Sequence, residues 1–353
     1  MAAVLILTAP GLEDLVQNEA ISLLKSRHPG LSTIKGRRGK GWLELHPPAE
    51  ADAAPLFCSL RTAFRIIELK AETKHPGDEI LHAAKACAEK GGFRELRYRP
   101  PFRIRCYVQD EPSGTRAAVE RAVGAVAVEQ SGAPVNLNQP EIEYGVEILD
   151  GHIFYGILWK DEDETPRYRK QFQVRSSVKP HIAAAMLNLV GFQARPGSLL
   201  DPCCGSGTIL LEAGMMHPGT RLYGSDVDER CAQGAQKNLS ALSQADPGSR
   251  IYEGDARHLE KLFPSGSLDY LVTNPPFGIR TGTRINFYWF YRELLQGADR
   301  ILSPKGRIAL LVGRKRGIFN RALEEEGHFM IQHVRVIDAS GLFPALYVLG
   351  RKK

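Results

Sequence analysis

No stretch of this sequence approaches the ~18 uninterrupted apolar residues of a membrane-spanning helix, so a membrane function is not expected. The apolar run at residues 2–9 is short, lacks a basic lead-in and enters Pro10-Gly11; it reads as a buried strand, not a signal peptide. Cysteine is sparse. Six residues, none at CxxC spacing, give no disulfide framework, and no metal site is expected. Cys203 and Cys204 adjoin and are expected to stay reduced, which suits the cytoplasm. Internal repeats and low-complexity tracts are also missing, so a solenoid or a disordered tail is not indicated.

What is present is a chain too long for one ordinary core. Domains commonly run ~100–200 residues, so 353 residues imply two or three. The net charge is +6, and it is unevenly placed. Residues 1–175 hold 24 basic and 24 acidic side chains, so the whole excess follows residue 175. The first half still contains basic runs: Lys35, Arg37, Arg38 and Lys40; Arg94, Arg97, Arg99, Arg103 and Arg105; Arg167, Arg169, Lys170 and Arg175. Such stripes can neutralise phosphates, although a solvated surface has the same composition.

The second half alternates strand and helix signals. Strands are expected at Ser198–Cys203, Arg221–Asp226, Arg250–Gly254, Leu268–Thr273 and Arg307–Val312. Helices are expected at Thr208–Met216, Glu229–Leu242, Phe287–Leu302 and Arg316–Glu326. This alternation argues a parallel sheet covered on both faces. Two final strands, Phe329–Ile337 and Leu346–Leu349, have no helix between them and predict an antiparallel edge. The first half reads as α+β. It has a helix at Gly11–Leu24, strands at Trp42–Leu45 and Phe64–Leu69, and a helix at Ile80–Lys90. A strand at Phe102–Val108, a helix at Arg116–Gln130 and a hairpin of Ile142–Leu149 and His152–Trp159 around Asp150-Gly151 follow.

The strongest motif is Asp201-Pro202-Cys203-Cys204-Gly205-Ser206-Gly207-Thr208, which leaves one strand and opens a helix. Glycines there let the backbone approach a ligand, and the helix N-terminus offers free N–H groups. The third glycine of the dinucleotide pattern is missing; Leu210 stands in its place, which disfavours a nicotinamide dehydrogenase. The next two strands end in Asp226-Val227-Asp228 and Asp255-Ala256. Each acid alone could be a helix cap. Acids at three successive strand ends line up on the ligand edge of a parallel sheet, where they can accept from ribose hydroxyls and an adenine amine. The fourth strand exits into Asn274-Pro275-Pro276-Phe277-Gly278. Two prolines make that exit stiff. Asn274 Oδ1 and the Pro275 carbonyl can hold an exocyclic NH2, and Phe277 can stack on its ring. S-adenosylmethionine would supply the reactive methyl group. A base inside a helix must be flipped to reach such a site.

Residues 178–353 thus resemble the class I N2-guanine and N6-adenine methyltransferases, through Asp201–Thr208 and Asn274–Phe277. The first half resembles RNA methyltransferases carrying a THUMP domain, through Thr8-Ala9-Pro10-Gly11-Leu12-Glu13 and Leu60-Arg61-Thr62-Ala63-Phe64-Arg65. Ser176-Ser177-Val178-Lys179-Pro180 matches that family's entry to its catalytic domain. The resemblance implies a ferredoxin-like domain at 1–70, a THUMP domain at 71–160, a linker at 161–177 and a seven-stranded Rossmann-like methyltransferase domain at 178–353. It implies a monomeric enzyme that methylates a guanosine N2 in tRNA, at position 6 of the acceptor stem. Asp201, Cys203, Gly205, Ser206, Gly207, Thr208, Asp226, Val227, Asp255, Ala256 and Asn274 would hold the cofactor. Asn274, Pro275, Pro276 and Phe277 would direct the chemistry, with Lys35, Arg37, Arg38, Arg97, Arg99 and Arg280 on RNA. Asn at 274 disfavours the tRNA guanosine-10 enzymes, which usually carry Asp there. An rRNA guanine-N2 enzyme, an adenine-N6 enzyme of RNA or DNA, and an inactive RNA-binding protein stay open. A cytosine-5 enzyme would need Cys203 or Cys204 as nucleophile, in a turn the cofactor already claims.

Overall fold

The computed structural model describes residues 3–29, 35–48, 52–74, 79–108, 114–278, 282 and 284–352. Two compact units emerge: residues 1–8 with 13–167, and residues 9–12 with 168–353. Among the described residues, no helix is long and apolar enough to cross a membrane.

The first unit contains β1 (Ala3–Leu7), α1 (Glu13–Arg27), β2 (Lys35–Gly39), β3 (Trp42–His46), α2 (Ala53–Cys58) and β4 (Arg65–Lys74). It continues with α3 (Ile80–Gly91), β5 (Phe102–Val108), α4 (Thr115–Ser131), β6 (Ile142–Leu149) and β7 (His152–Asp161). These strands form one seven-stranded sheet, in the order β2-β3-β1-β4-β7-β6-β5. All pairings are antiparallel except β5 with β6. Two cores lie along it. Val16, Ala20, Leu24 and Phe57 from α1 and α2 pack on Val4, Ile6, Leu43 and Ile66. Ala84, Cys87, Val119 and Val123 from α3 and α4 pack on Ile104, Tyr144, Val146 and Tyr155. The boundary expected at 70/71 falls inside β4, which runs through both halves of this sheet.

Charge is buried in this sheet. The Arg65 guanidinium on β4 lies 3.2 Å from the Tyr107 ring centre and pairs with Glu147 at 3.0 Å and Asp161 at 3.4 Å. Tyr107 in turn donates to Asp161. One arginine therefore links β4 to β5, β6 and β7.

The second unit contains α5 (Pro180–Val190), β8 (Leu199–Asp201), α6 (Thr208–Met216), β9 (Leu222–Asp226), α7 (Glu229–Ser240), β10 (Arg250–Glu253) and β11 (Leu268–Thr273). It closes with α8 (Phe287–Ile301), β12 (Leu302–Val312), α9 (Arg316–Glu326), β13 (Phe329–Val336) and β14 (Ala345–Arg351). The sheet order is β10-β9-β8-β11-β12-β14-β13. Strands β8 to β12 pair in parallel, while β14 is antiparallel to both β12 and β13. The expected antiparallel edge is present, with the last strand inserted one place inward. The chain reverses its winding between β8 and β11, which opens a crevice at their carboxyl ends. Pro180 starts α5, and Gly191 at φ +89° ends it.

Several elements differ from the sequence expectation, and four of them show why. The helix expected from Gly11 begins at Glu13. Gly11 has φ +96°, and a Cβ there would stand 2.4 Å from the Val336 carbonyl oxygen. The basic run at 35–40 contains a strand, β2, whose residues are mostly exposed and so lack apolar alternation. Helix α2 is six residues long, too short for a periodic signal. Strand β12 starts at Leu302 instead of Arg307, because a register shift carries its pairing with β11 past Gly306.

Candidate active site

A cavity of about 1270 Å³ opens at the carboxyl ends of the second unit's parallel strands. Ligand pockets usually span ~300–1,000 Å³, so there is room for a cofactor together with a base. Its floor is the turn between β8 and α6. Gly205 and Gly207 take φ +54° and +79°, a region side chains rarely adopt. A Cβ on Gly205 would meet no protein atom within 4 Å. The Gly205 N–H donates to Asp226 Oδ2 at 2.9 Å, so the end of β9 pins the turn.

The three acids sit as the strand pattern predicts, but in different environments. Asp201 is 2% exposed and accepts from the Thr273 hydroxyl at 2.8 Å and the Cys203 N–H at 3.2 Å. Burial pushes its carboxyl up to about 7. Asp226 also accepts from the Asp228 N–H at 3.0 Å, and its carboxylate keeps further acceptor capacity. Asp255 is gripped by Arg257, whose hydrogen bond holds the carboxyl below its ordinary value. Asp228 caps α7 by accepting from the Arg230 N–H at 3.0 Å.

Cys203 lines the cavity and Cys204 is buried beside it. Burial holds both thiols well above their usual range, and Asp201 and Asp226 add to the effect. A raised thiol pKa disfavours both as nucleophiles at neutral pH.

Residues 274–277 line the same cavity. Phe277 is seated on the backbone of Gly313, where a Cβ would stand 2.8 Å from the ring. Asn274 Oδ1 is buried and has no hydrogen-bond partner among the described residues. A buried amide oxygen without a partner costs ~1–3 kcal/mol, so its retention beside a cavity calls for a ligand donor.

Of the expected cofactor residues, Asp201, Cys203, Gly205, Thr208, Asp226, Val227, Asp255, Ala256 and Asn274 border the cavity. Ser206 and Gly207 do not; Ser206 is 1% exposed and faces inward. Lys35, Arg37, Arg38, Arg97 and Arg99 belong to the first unit and are exposed. Arg37 is paired with Glu44 at 2.7 Å and also with Glu72. Arg280 lies outside the described residues. No sequence motif singles out Arg284, Asn286 and Trp289, which also line the cavity. Trp289 is 51% exposed, an unusual setting for tryptophan that only the fold discloses. Residues 174–177, expected to be linker, form part of the wall.

Asp299, Glu326 and His328 could bring ligand atoms within 4.8 Å of one another. They form an ion-pair network: His328 contacts Glu326 at 2.8 Å, and Arg351 holds Asp299.

Residues 166–342 match the UPF0020 family, described as RMKL-like, methyltransferase domain. The chain is 32% identical over 347 residues to the tRNA (guanine(6)-N2)-methyltransferase of Thermus thermophilus, covering 98% of both chains. The chain belongs to the family of RNA guanine-N2 methyltransferases. A tRNA (guanine(10)-N2)-dimethyltransferase of Methanothermobacter thermautotrophicus is 29% identical, over 83% of this chain and 88% of that protein. The crystal structure of TrmN from Thermus thermophilus matches the fold with a TM-score of 0.76 at 29% identity, covering all of both chains. The α/β class I methyltransferase architecture expected from sequence is therefore the one observed.

Proposed function

We propose that this methyltransferase moves a methyl group from S-adenosylmethionine to the exocyclic N2 amine of a guanosine in tRNA, at position 6 of the acceptor stem. The observation that carries the reading is the unpartnered Asn274 Oδ1 at the cavity wall. The residues present fit the cofactor. The glycine turn 205–207 leaves room for a ligand, Asp226 has acceptor capacity for a ribose, and Asp255 can accept from an adenine amine. When bound, S-adenosylmethionine supplies an electrophilic methyl group.

The chain's own residues then act on the base. A guanine amine is a weak nucleophile because its lone pair is delocalised into the ring. Asn274 Oδ1 and the Pro275 carbonyl accept its two N–H groups and turn the lone pair toward the cavity floor. Phe277, held by Gly313, stacks on the flipped base. Positioning and electrostatics suffice, since the amine proton becomes acidic once the new bond forms. The first unit grips RNA through exposed Lys35, Arg38, Arg97 and Arg99, with Arg37 partly occupied by its acids. The relative named for guanine 6 covers more of this chain, at higher identity, than the one named for guanine 10. Incubating the purified protein with unmodified tRNA and S-adenosylmethionine tests the reading, with nucleoside mass spectrometry to identify the product and mass mapping of nuclease-derived oligonucleotides to locate it. N2-methylguanosine at position 6 is expected; N6-methyladenosine, or methylation at position 10, would overturn it.

A further inference from the structure

Of the segment expected to be a linker, residues 168–177 belong to the second unit and reach the glycine turn from behind. Phe172 lies against Gly234 of α7, where a Cβ would stand 2.2 Å from the ring. Buried Asn238 holds segment and turn together. Its Oδ1 accepts from the Gln171 N–H at 2.7 Å and the Phe172 N–H at 3.1 Å. Its Nδ2 donates to the Phe172 carbonyl at 2.7 Å and to the Ser206 carbonyl at 2.9 Å. The Lys170 ammonium donates to Ser206 Oγ at 3.0 Å and to Thr208 Oγ1 at 2.5 Å. Ser206 Oγ also meets Ser177 Oγ at 2.6 Å. A few residues on, Ser176, Ser177 and Val178 become cavity wall.

We infer that Lys170 is a positioning residue for the cofactor, fixing the turn 202–208 through Ser206 and Thr208 in the shape that accepts S-adenosylmethionine. This rests on the cavity being that cofactor's site. The geometry sets the role. Lys170 is one of the anchors tying the incoming segment to side chains of the glycine turn, whose positive-φ glycines leave it little stiffness of its own. Glu212, fully buried one turn along α6 from Thr208, is the charged group that favours the ammonium. The Tyr168 ring, on the same segment, lies 5.9 Å away. Burial lowers the ammonium to about 8, so the anchor is charged at pH 7 and loses its charge just above. Deprotonation weakens its hydrogen bonds to both hydroxyls, and the turn loosens as pH rises through that value.

Calorimetry of S-adenosylmethionine on the full-length chain, wild type and Lys170→Met, across pH 6.5 to 9.5 tests this. The variant keeps the buried stem and removes the charge. At pH 7 its Kd should be about tenfold higher, the scale of one charge-assisted hydrogen bond. The gap should narrow as pH passes about 8. The α-amino group of the ligand titrates in the same range, but identically for both proteins. Amide exchange of residues 202–211 in the ligand-free variant should be faster than in wild type. Should Lys170→Met fail to fold, Ser206→Ala removes the acceptor from the other side and should weaken binding by about threefold. Equal affinity at pH 7, or a gap that stays constant across the range, would overturn the role of Lys170. Wild-type protein that binds no S-adenosylmethionine would instead overturn the reading of the cavity itself.

Discussion

Both units are built on seven-stranded sheets, yet they bury polarity to opposite ends. In the first unit the terminal nitrogens of Arg65 meet Glu147, Asp161 and Asp163, and the guanidinium lies on Tyr107. In the second unit the fourth parallel strand delivers a buried amide oxygen, Asn274 Oδ1, to a cavity and gives it no partner. A paired charge network at the sheet centre holds strands together. An acceptor left open at a sheet edge marks the place where something else must bind. Arg65 Nε is also buried without a partner among the described residues, but of the two only Asn274 Oδ1 borders the cavity.

The comparison breaks first at Arg65. Arg65→Met should destabilise the first unit by about 3–5 kcal/mol, because buried Glu147 and Asp161 lose their counter-charge. Chemical denaturation monitored by circular dichroism reads this out, and S-adenosylmethionine affinity should stay near wild type. A loss below about 1 kcal/mol would mean that the network is decoration. Asp226→Ala comes next. It removes both the anchor of the Gly205 N–H and the expected ribose acceptor, so cofactor binding should weaken by about 1.5–3 kcal/mol in calorimetry. Unchanged affinity would detach the second strand end from the cofactor. The smallest effect belongs to Cys203→Ser, which should retain much of the activity in a methyl-transfer assay, since burial pushes the thiol up and disfavours the thiolate. Loss of activity, together with a covalent RNA adduct that the wild type forms and the variant does not, would restore the cysteine as nucleophile.

These two regions were unequally legible. In the second unit, apolar strands ending in Asp201, Asp226, Asp255 and Asn274 alternate with helices, and a parallel sheet must bring such ends to one edge. Helices α6 and α9 and strand β11 follow the expected bounds. The first unit hid more. Strand β2 is a basic, solvent-facing edge, and α2 is shorter than two helical turns. The pairing of Arg37 with Glu44 and Glu72 crosses strands whose register no spacing reveals. Within the site, the part that stayed hidden is the part made by distant segments. Lys170 looks like one more surface charge until the fold sets it behind the glycine turn, and Trp289 like a helix residue until α8 brings it to the cavity. The orphaned state of Asn274 is likewise a property of three-dimensional surroundings.

Single-turnover kinetics of Asn274→Ala, with saturating S-adenosylmethionine and tRNA, address the central claim most directly. An acceptor that holds the amine most tightly as its nitrogen becomes tetrahedral acts on kcat and not on binding. The rate should fall by roughly 10²–10³, the effect of removing one preorganised polar contact, while both dissociation constants stay within about threefold. Asn274→Asp, which keeps an acceptor oxygen, should recover part of the rate. An unchanged rate with a tRNA dissociation constant raised about tenfold would contradict the account, because Asn274 would then grip RNA without directing the methyl transfer.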